Sequence, residues 1–533
     1  MYFIVGSGPS GVACAHALAK AGRPVTILDA GLSLEPEREA TRAALAQRDK
    51  NTWSSSELSF LQSAPSQERI PIKLAYGSDF PYRRVPLATE VLPAGLGLRG
   101  SYARGGLSNV WGGTILPYRQ EDLAGWPITE HELADGYAAV LKFIPVAARL
   151  DPLEELFPLY TDRYAPLPQS KQIIALLRSL ERGRTTLNAR HVSFGSARLA
   201  VDAAGTRGQG PCIVCGRCLH GCPRELIYSS AQTLADLETS GKVSYLRGVV
   251  VGSIEETENS VRIHAQKMDG SPCLFEGERV FLAAGILNTT TIILRSQKRY
   301  DHPVDILDSQ YFLFPMLQAA GVSGVTEEAL HTLCQAFVEI NDAGVSPHNV
   351  HLQVYSYNDH LSEILRQRLG FLAYVFPTNA ILGRILFVQG YLHSSHSGKI
   401  VATLKRNGDA DLLTLEPVIN SATKDKIKLV IRKLRGLMRL TSAFPVASLV
   451  EICEPGRGSH SGGSFPMAHR PGPGQTDRVG RPHGMARTHI VDSSVFPTIP
   501  TPTITLTVMA NAYRIGQEVA MQEAAVIDTS SRS

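Results

Sequence analysis

Cys212, Cys215, Cys218 and Cys222 fall within eleven positions and are followed by Pro223, in the stretch PCIVCGRCLHGCPREL. The spacing C-x2-C-x2-C-x3-C-P is a run that binds iron–sulfur clusters, where soft thiolates suit iron. Zinc sites call for two separated pairs, so zinc is the less natural occupant. In proteins with two clusters the fourth Cys of such a run serves the other cluster, and this chain has a single run. Four thiols on one [4Fe-4S] cluster, a [3Fe-4S] cluster, or a further ligand from Cys14, Cys273, Cys334 or Cys453 are all open, as are reduced structural thiols.

A second constellation opens the chain. VGSGPSG supplies Gly6, Gly8 and Gly11 in the G-x-G-x-x-G pattern, between an apolar run and a helical one. The first glycine permits the turn, the second lets backbone approach a pyrophosphate, and the third lets helix and strand pack closely. The helix N-terminus then offers unpaired N–H groups to phosphate. Asp29 ends the next apolar run, 23 residues after Gly6, where a ribose hydroxyl needs an acceptor. These residues predict a dinucleotide site without separating NAD from FAD.

The elements that must carry these groups are scattered. Residues 2–31 read as a βαβ unit: YFIV, then SGVACAHALAKAG up to Gly22, then PVTILDAG. Residues 228–297 read as several strands followed by the helix ILNTTTIILRS, and 484–533 as THIVDSSVFPTIP before a long helix, with a frayed tail DTSSRS. Between them, HNVHLQVYSYND and KIVATLKRNG predict a second, more antiparallel unit. KDKIKLVIRKLRGLMRL predicts an amphipathic helix with Ile427, Ile431, Leu434 and Met438 on one face, its basic face solvated or turned to a partner or membrane surface.

Composition bounds the classes. At 533 residues, 44% hydrophobic and 19% charged, the chain is an ordinary globular one of several domains, and a net charge of +4 gives no case for nucleic acid. The longest uncharged apolar stretch, Leu369–Gly383, is too short for a membrane span and contains Pro377. Its aromatics Phe371, Tyr374 and Phe376, with Phe387, predict core or pocket wall. No secretory signal opens the chain, so a cytoplasmic protein is expected, or one peripheral at the inner membrane face.

Five ordered stretches resemble the glucose–methanol–choline (GMC) flavoprotein oxidoreductases: VGSGPSG…LDAG, GGLSNVWGGTILPYRQEDLAGWP, FLAAGILNTTTIILRS, SHSGGSFPM and VDSSVFPTIPTPTITLTVMANAYRIG. The resemblance spans nearly the whole chain. It implies an α/β fold: a Rossmann-type FAD domain from 1–120, 190–300 (with the Cys-rich insert 205–228) and 470–533, and a substrate domain with a mixed or antiparallel sheet from 121–189 and 301–469. It implies flavin contacts at Pro9, Ser10 and Ala30 beside the glycines and Asp29. Further contacts are implied at Gly106, Asn109, Trp111, Gly112 and Gly113, at Val250, Ala284 and Gly285, and at Asp492, Ser493 and Thr503; Trp111 could equally be packing.

In this family hydride passes from an alcohol carbon to flavin while a His takes the hydroxyl proton, and His460 matches that position. A second His or Asn usually precedes a Pro in the last segment, but here Thr501 stands before Pro502. A Thr hydroxyl makes a hydrogen bond and is no base near neutral pH. The reading implied is a dehydrogenase acting on CH–OH of a sugar, sugar derivative or other alcohol, its electrons leaving through an iron–sulfur cluster to a protein or quinone acceptor. Alternatives are an oxygen-using alcohol oxidase, a flavoenzyme performing desaturation, reduction or rearrangement, and a non-catalytic flavin-bearing subunit.

Overall fold

Tyr2–Val5 (β1) and Val25–Asp29 (β2) are buried at every position. Strands apolar on both faces belong inside a parallel sheet covered by helices. A computed structural model, describing residues 1–62, 73–93, 97–358, 381–408 and 410–531, contains that sheet. Its order is Thr488–Ile490 (β20), Arg279–Leu282 (β9), β1, β2 and Val243–Arg247 (β5), all parallel. The sheet therefore draws on the start, middle and end of the chain. Helix Pro9–Lys20 follows β1, and the last helix, Ile504–Ser531, runs on through most of the tail expected to fray.

Three further sheets complete the architecture. Val249–Glu256 (β6), Val261–Lys267 (β7) and Pro272–Gly277 (β8) form an antiparallel meander. Ser461–Gly462 (β19), Val304–Asp308 (β10), Lys399–Asn407 (β15), Ala410–Val418 (β16) and Glu90–Leu92 (β3) form a mixed sheet in that order, with β16 and β3 parallel. The largest runs Ala443–Pro445 (β17), Tyr311–Gln318 (β11), Ile385–Tyr391 (β14), Val350–Tyr355 (β13), Ala336–Ile340 (β12), Val192–Ser196 (β4), with Glu451–Ile452 (β18) also on β11. The overall class is α/β, as the sequence implied.

That largest sheet has two unlike faces because side chains alternate along a strand. Val338, Val350, Leu352, Val354 and Val388 face helices Lys171–Arg182 and Ala422–Gly436 in one apolar core. On the other face lie Glu339, His351, Gln353, Gln389 and Tyr391, all in or beside pairing register.

Several expectations need revision. The two strands expected in one antiparallel unit lie in different sheets, β13 in the largest and β15 in the mixed one. The division drawn at residue 190 separates β4 from the sheet it joins through β12. The amphipathic helix ends at Gly436; the chain turns at Leu437 and restarts over Met438–Thr441. Leu437 is therefore buried in place of Met438, which is exposed, and Val430 joins Ile427, Ile431 and Leu434 on the inner face. Phe371, Tyr374 and Phe376 lie outside the described residues, while Phe387 sits on β14. Among the described residues no helix is long and apolar enough to cross a membrane.

Candidate active site

A cavity of about 740 Å³ opens over the C-terminal end of the parallel sheet, within the range for small-molecule and cofactor sites. Gly6, Gly8, Pro9, Ser10, Asp29, Ala30, Gly106, Val250, Ala284, Gly285, Asp492 and Ser493 line it. Sequence reasoning missed part of the wall, including Leu98–Ala103, Asn288, Arg295, Ser459 and Ser461. Asn288 and Arg295 lie in FLAAGILNTTTIILRS and Ser459 and Ser461 in SHSGGSFPM, whereas Leu98–Ala103 precedes the glycine-rich loop and belongs to no motif.

The glycines do what their spacing requires. Gly6 has φ +99°, and a Cβ there would lie 2.5 Å from Ala283 O. A Cβ on Gly11 would lie 2.1 Å from Gly6 O, so only glycine lets the helix start this close. A Cβ on Gly8 would meet no atom within 4 Å, because it would point into the cavity. Three helix N-termini converge on that space: Pro9 and Ser10, Gly285 and Ile286, and Ile504 and Thr505 all line it. Each brings unpaired N–H groups and the positive end of a dipole. This glycine cradle and its converging dipoles fit a dinucleotide with its pyrophosphate.

The acidic residues are partly engaged by the protein. Asp29 accepts from Ser7 N–H (3.1 Å), from the Ser7 hydroxyl and from Gly31 N–H (3.2 Å). Burial pushes its carboxyl up to about 6 despite those bonds. Asp492 accepts from Gly285 N–H (2.9 Å), Thr289 Oγ1 (2.5 Å) and Ser494 N–H (3.0 Å), tying the last segment to the helix over Ile286–Ser296.

In the loop 105–113, Gly106 alone of the residues singled out lines the cavity. Asn109 Nδ2 donates to Arg104 O (2.9 Å) and Gly106 O (2.7 Å), and its Oδ1 accepts from Ser229 Oγ (3.1 Å). Trp111 Nε1 donates to Tyr228 O (2.7 Å), and the ring packs on the main core, as the packing alternative had it. Gly112 lies against the substrate sheet, a Cβ there falling 3.9 Å from Tyr355 Oη, and Gly113 lies by Ala200.

His460 immediately precedes β19. Its neighbours Ser459 and Ser461 line the cavity, whereas its ring stacks on Tyr391 of β14, centroids 4.6 Å apart and 25° between planes. Burial pushes the imidazole down to about 3. It is therefore neutral over the working range, and the same burial opposes its taking up a proton. His460 Nδ1, Thr501 Oγ1 and Thr503 Oγ1 are buried with no hydrogen-bond partner among the described residues. Each orphaned group costs about 1–3 kcal/mol unless something meets it. Polar atoms left so suit a bound ligand that supplies the partners, but His460, Thr501 and Thr503 do not themselves line the cavity, which their neighbours Ser459, Ser461 and Ile504 reach.

The polar face of the substrate sheet adds a pair that sequence reasoning missed. Glu339 and His351, directly opposed on β12 and β13, are fully buried and 2.6 Å apart. Their separation in sequence gives no motif; only the strand register brings them together.

Four histidines, His331 (about 4), His393, His460 and His489 (each about 3), are held down by burial. Asp29 and Asp308 are held up, to about 6 and about 7. Between pH ~4 and ~6 the unfolded chain binds protons at these four histidines that the folded chain refuses, while the folded chain binds extra protons only at the two aspartates. The unfolded state thus holds the net excess, and stability falls on acidification below pH ~6.5. Thermal melts in a pH series are expected to show Tm dropping from pH 6.5 to 4.5.

The four clustered thiols are free and partly exposed. Val214 N–H donates toward Cys212 Sγ, Arg217 N–H toward Cys215, and Leu226 and Arg224 N–H toward Cys222. Val214, Gly216 and Gly221 take left-handed backbone to wind the loop this way. Lys73 lies within electrostatic reach of Cys218 and Cys222 while donating to Trp111 O (2.7 Å). Among the described residues no three His, Cys, Asp or Glu side chains gather where they could hold a metal ion, so the expected cluster has no preformed centre here. Cys14 and Cys453 are buried elsewhere, in separate apolar clusters, whereas Cys334 is buried in the cluster against which Cys212, Cys218 and Cys222 pack.

Residues 447–512 match the family model for the GMC oxidoreductase C-terminal region, and residues 4–34 match that for the NAD(P)-binding Rossmann-like domain. No curated protein sequence matches the chain. Solved structures of like fold include pyridoxine 4-oxidase from Mesorbium loti, 13% identical over 97% of this chain and 98% of that one, with a TM-score of 0.58. A formate oxidase variant from Aspergillus oryzae RIB40, concerned with FAD modification, is 12% identical over 98% of both chains, with a TM-score of 0.62. At such identity the likeness carries the fold.

Proposed function

We propose that this chain, which opens on a Rossmann-like domain and closes on a GMC oxidoreductase C-terminal domain, is an FAD-dependent oxidoreductase that oxidises a CH–OH group, with His460 taking the hydroxyl proton. The observation that carries the reading is the large cavity that meets three helix N-termini and the glycine cradle, with His460 set between two of its lining residues. Bound flavin would supply a two-electron acceptor for hydride.

The protein's own part is positioning and proton handling. Gly6, Gly8 and the helix N-termini would hold the pyrophosphate, and Asp29 would meet the ribose. Alcohols surrender hydride far more readily as alkoxides, so a neutral imidazole beside the hydroxyl lowers the barrier. A dry site opposes the imidazolium that results, and the Tyr391 face against the ring offsets part of that cost. Thr501 can donate one hydrogen bond to the same oxygen.

The test is anaerobic. The flavin-loaded protein, offered glycerol, D-glucose and benzyl alcohol in turn, is expected to lose its visible flavin absorbance with at least one of them. Bleaching by dithionite and by none of the alcohols overturns alcohol oxidation in favour of the second reading, a desaturation, reduction or rearrangement, to which Thr501 in place of a second base lends support.

For the clustered cysteines we hold to an iron–sulfur cluster, with Cys212, Cys215, Cys218 and Cys222 as ligands and one-electron transfer as the chemistry it would supply. A cubane sets each thiolate on a different iron, so its ligands need not converge on one ion. Burial pushes the Cys212, Cys215 and Cys222 thiols up, and the backbone N–H groups aimed at those sulfurs offset part of that. Anaerobically purified protein is expected to contain about four iron and four sulfide per chain, or three and four for a [3Fe-4S] cluster. Flavin turnover in protein free of iron ends this part of the reading and leaves the thiols structural.

A further inference from the structure

The polar face of the largest sheet carries a chain of side chains whose hydrogen bonds run in one direction. It starts at Glu339 on β12, whose two oxygens accept from Asn349 Nδ2 and His351 Nδ1, each at 2.6 Å. With its Nδ1 proton given to that carboxylate, His351 is left to accept at Nε2 from Gln353 Nε2 (3.2 Å). Gln353 Nε2 also reaches Thr114 Oγ1 (3.4 Å), so the carbonyl end of this amide is turned the other way. There Gln353 Oε1 takes the hydroxyl proton of Tyr355 (3.0 Å).

Gln389, directly opposite Gln353 on β14, stands at the end of the chain. Its carboxamide lies 3.1 Å from Tyr355 Oη, yet that hydroxyl has a single proton, for which the two glutamines compete. Gln353 is 2% exposed and Gln389 half-buried, so an oxygen left without a donor costs more on Gln353. Gln389 then meets the Tyr355 oxygen with one amide N–H, which leaves its own oxygen and its second N–H unused. Among the described residues no other group meets this amide. A donor and an acceptor side by side on a half-buried group match a hydroxyl, which donates and accepts at one oxygen.

We propose that Gln389, oriented by Tyr355 and Gln353, is a specificity-determining residue that binds a second hydroxyl of the substrate, so that the substrate is a sugar or other polyol rather than a monohydric alcohol. Its place relative to His460 fits this role. The His460 ring stacks on Tyr391, which is two residues further along β14 and on the same face. The proton acceptor and the amide therefore serve positions about 6.5 Å apart along the strand. A hexose or an open-chain polyol spans that distance, with one hydroxyl at each end. Leu313, opposite Gln389 on β11, and Phe387 are half-buried beside it and offer apolar surface to the C–H groups between.

The proposal rests on the reading of His460 as the base and narrows its substrate, but the test reads binding without turnover. Flavin-loaded protein reduced with dithionite under anaerobic conditions accepts no hydride. Calorimetric titration of it gives the affinity for D-glucose, D-sorbitol and benzyl alcohol. At least one of the two polyols is expected to bind the wild type. In Gln389→Leu, which keeps bulk and loses the amide, the Kd of that polyol is expected to rise about tenfold while that of benzyl alcohol stays the same. Should Gln389→Leu not fold, Gln389→Met carries the same comparison. Polyol affinity equal in wild type and variant, an equal loss for benzyl alcohol, or no polyol binding to the wild type overturns the proposal. If polyol binding responds as expected while no alcohol bleaches the oxidised flavin, the subsite stands and alcohol oxidation fails. If an alcohol bleaches the flavin while the variant binds polyol as the wild type does, the subsite alone fails.

Discussion

His460→Gln is expected to remain folded and flavin-bound while its rate of flavin reduction by alcohol falls by about 10²–10⁴-fold, the usual worth of a positioned general base. The reasons lie in the site. The imidazole is buried, neutral and flanked by cavity-lining residues, and it contributes no hydrogen bond from Nδ1 to the fold. Removing it therefore takes away a proton acceptor without breaking a hydrogen bond at Nδ1. Gln preserves the bulk against Tyr391, although it cannot stack as an imidazole does. The residual rate should rise with pH, as bulk hydroxide takes over part of the missing function. Stopped-flow reduction under anaerobic conditions separates this loss from any change in affinity. A variant that reduces its flavin at the wild-type rate would remove His460 from the chemistry.

The second large effect is predicted for the glycine turn, where two substitutions should part company. Gly11→Val places a side chain where even a Cβ would lie 2.1 Å from Gly6 O, a backbone atom that cannot yield without moving β1 or the helix. Overpacking of this kind costs about 1–3 kcal/mol or more, and the displaced helix start loses the phosphate. Colourless protein with a lowered Tm is expected. Gly8→Ala introduces a Cβ that meets nothing of the protein within 4 Å. Its Tm without FAD should match the wild type within about 0.5 kcal/mol of stability, as for a surface change, while FAD affinity falls because the methyl enters the cavity. Equal loss of stability in the two variants, or undiminished FAD binding in both, would mean the turn is ordinary structure.

How far the sequence could be read depended on how local the cause was. The G-x-G-x-x-G turn, β1, β2 and the helix between them follow from one unbroken stretch, and the structure has them where the spacing puts them. The helix over Ile286–Ser296 and the strands before it were equally plain. The register of the largest sheet was not, because β4, β12, β13 and β14 are joined across long connections. For the same reason Glu339 and His351 could not be seen as a pair. Val192–Ser196 illustrates the domain problem: it reads as one more apolar strand, and nothing in its residues says which sheet it will join. Met438 shows a local failure, since helical spacing was extended past Gly436, the last residue of the helix and a stop signal in the sequence. The roles attached to Asn109 and Trp111 came from resemblance, and their side chains are engaged within their own loop and core.

The measurement that bears most directly on the central claim is the FAD released when the purified wild-type chain is denatured, quantified against protein. The cavity and its cradle predict close to equimolar FAD in the isolated protein, or after incubation with excess FAD if some is lost on purification. Protein that is folded by its melting transition yet releases none, and takes up none from an excess, would contradict the account.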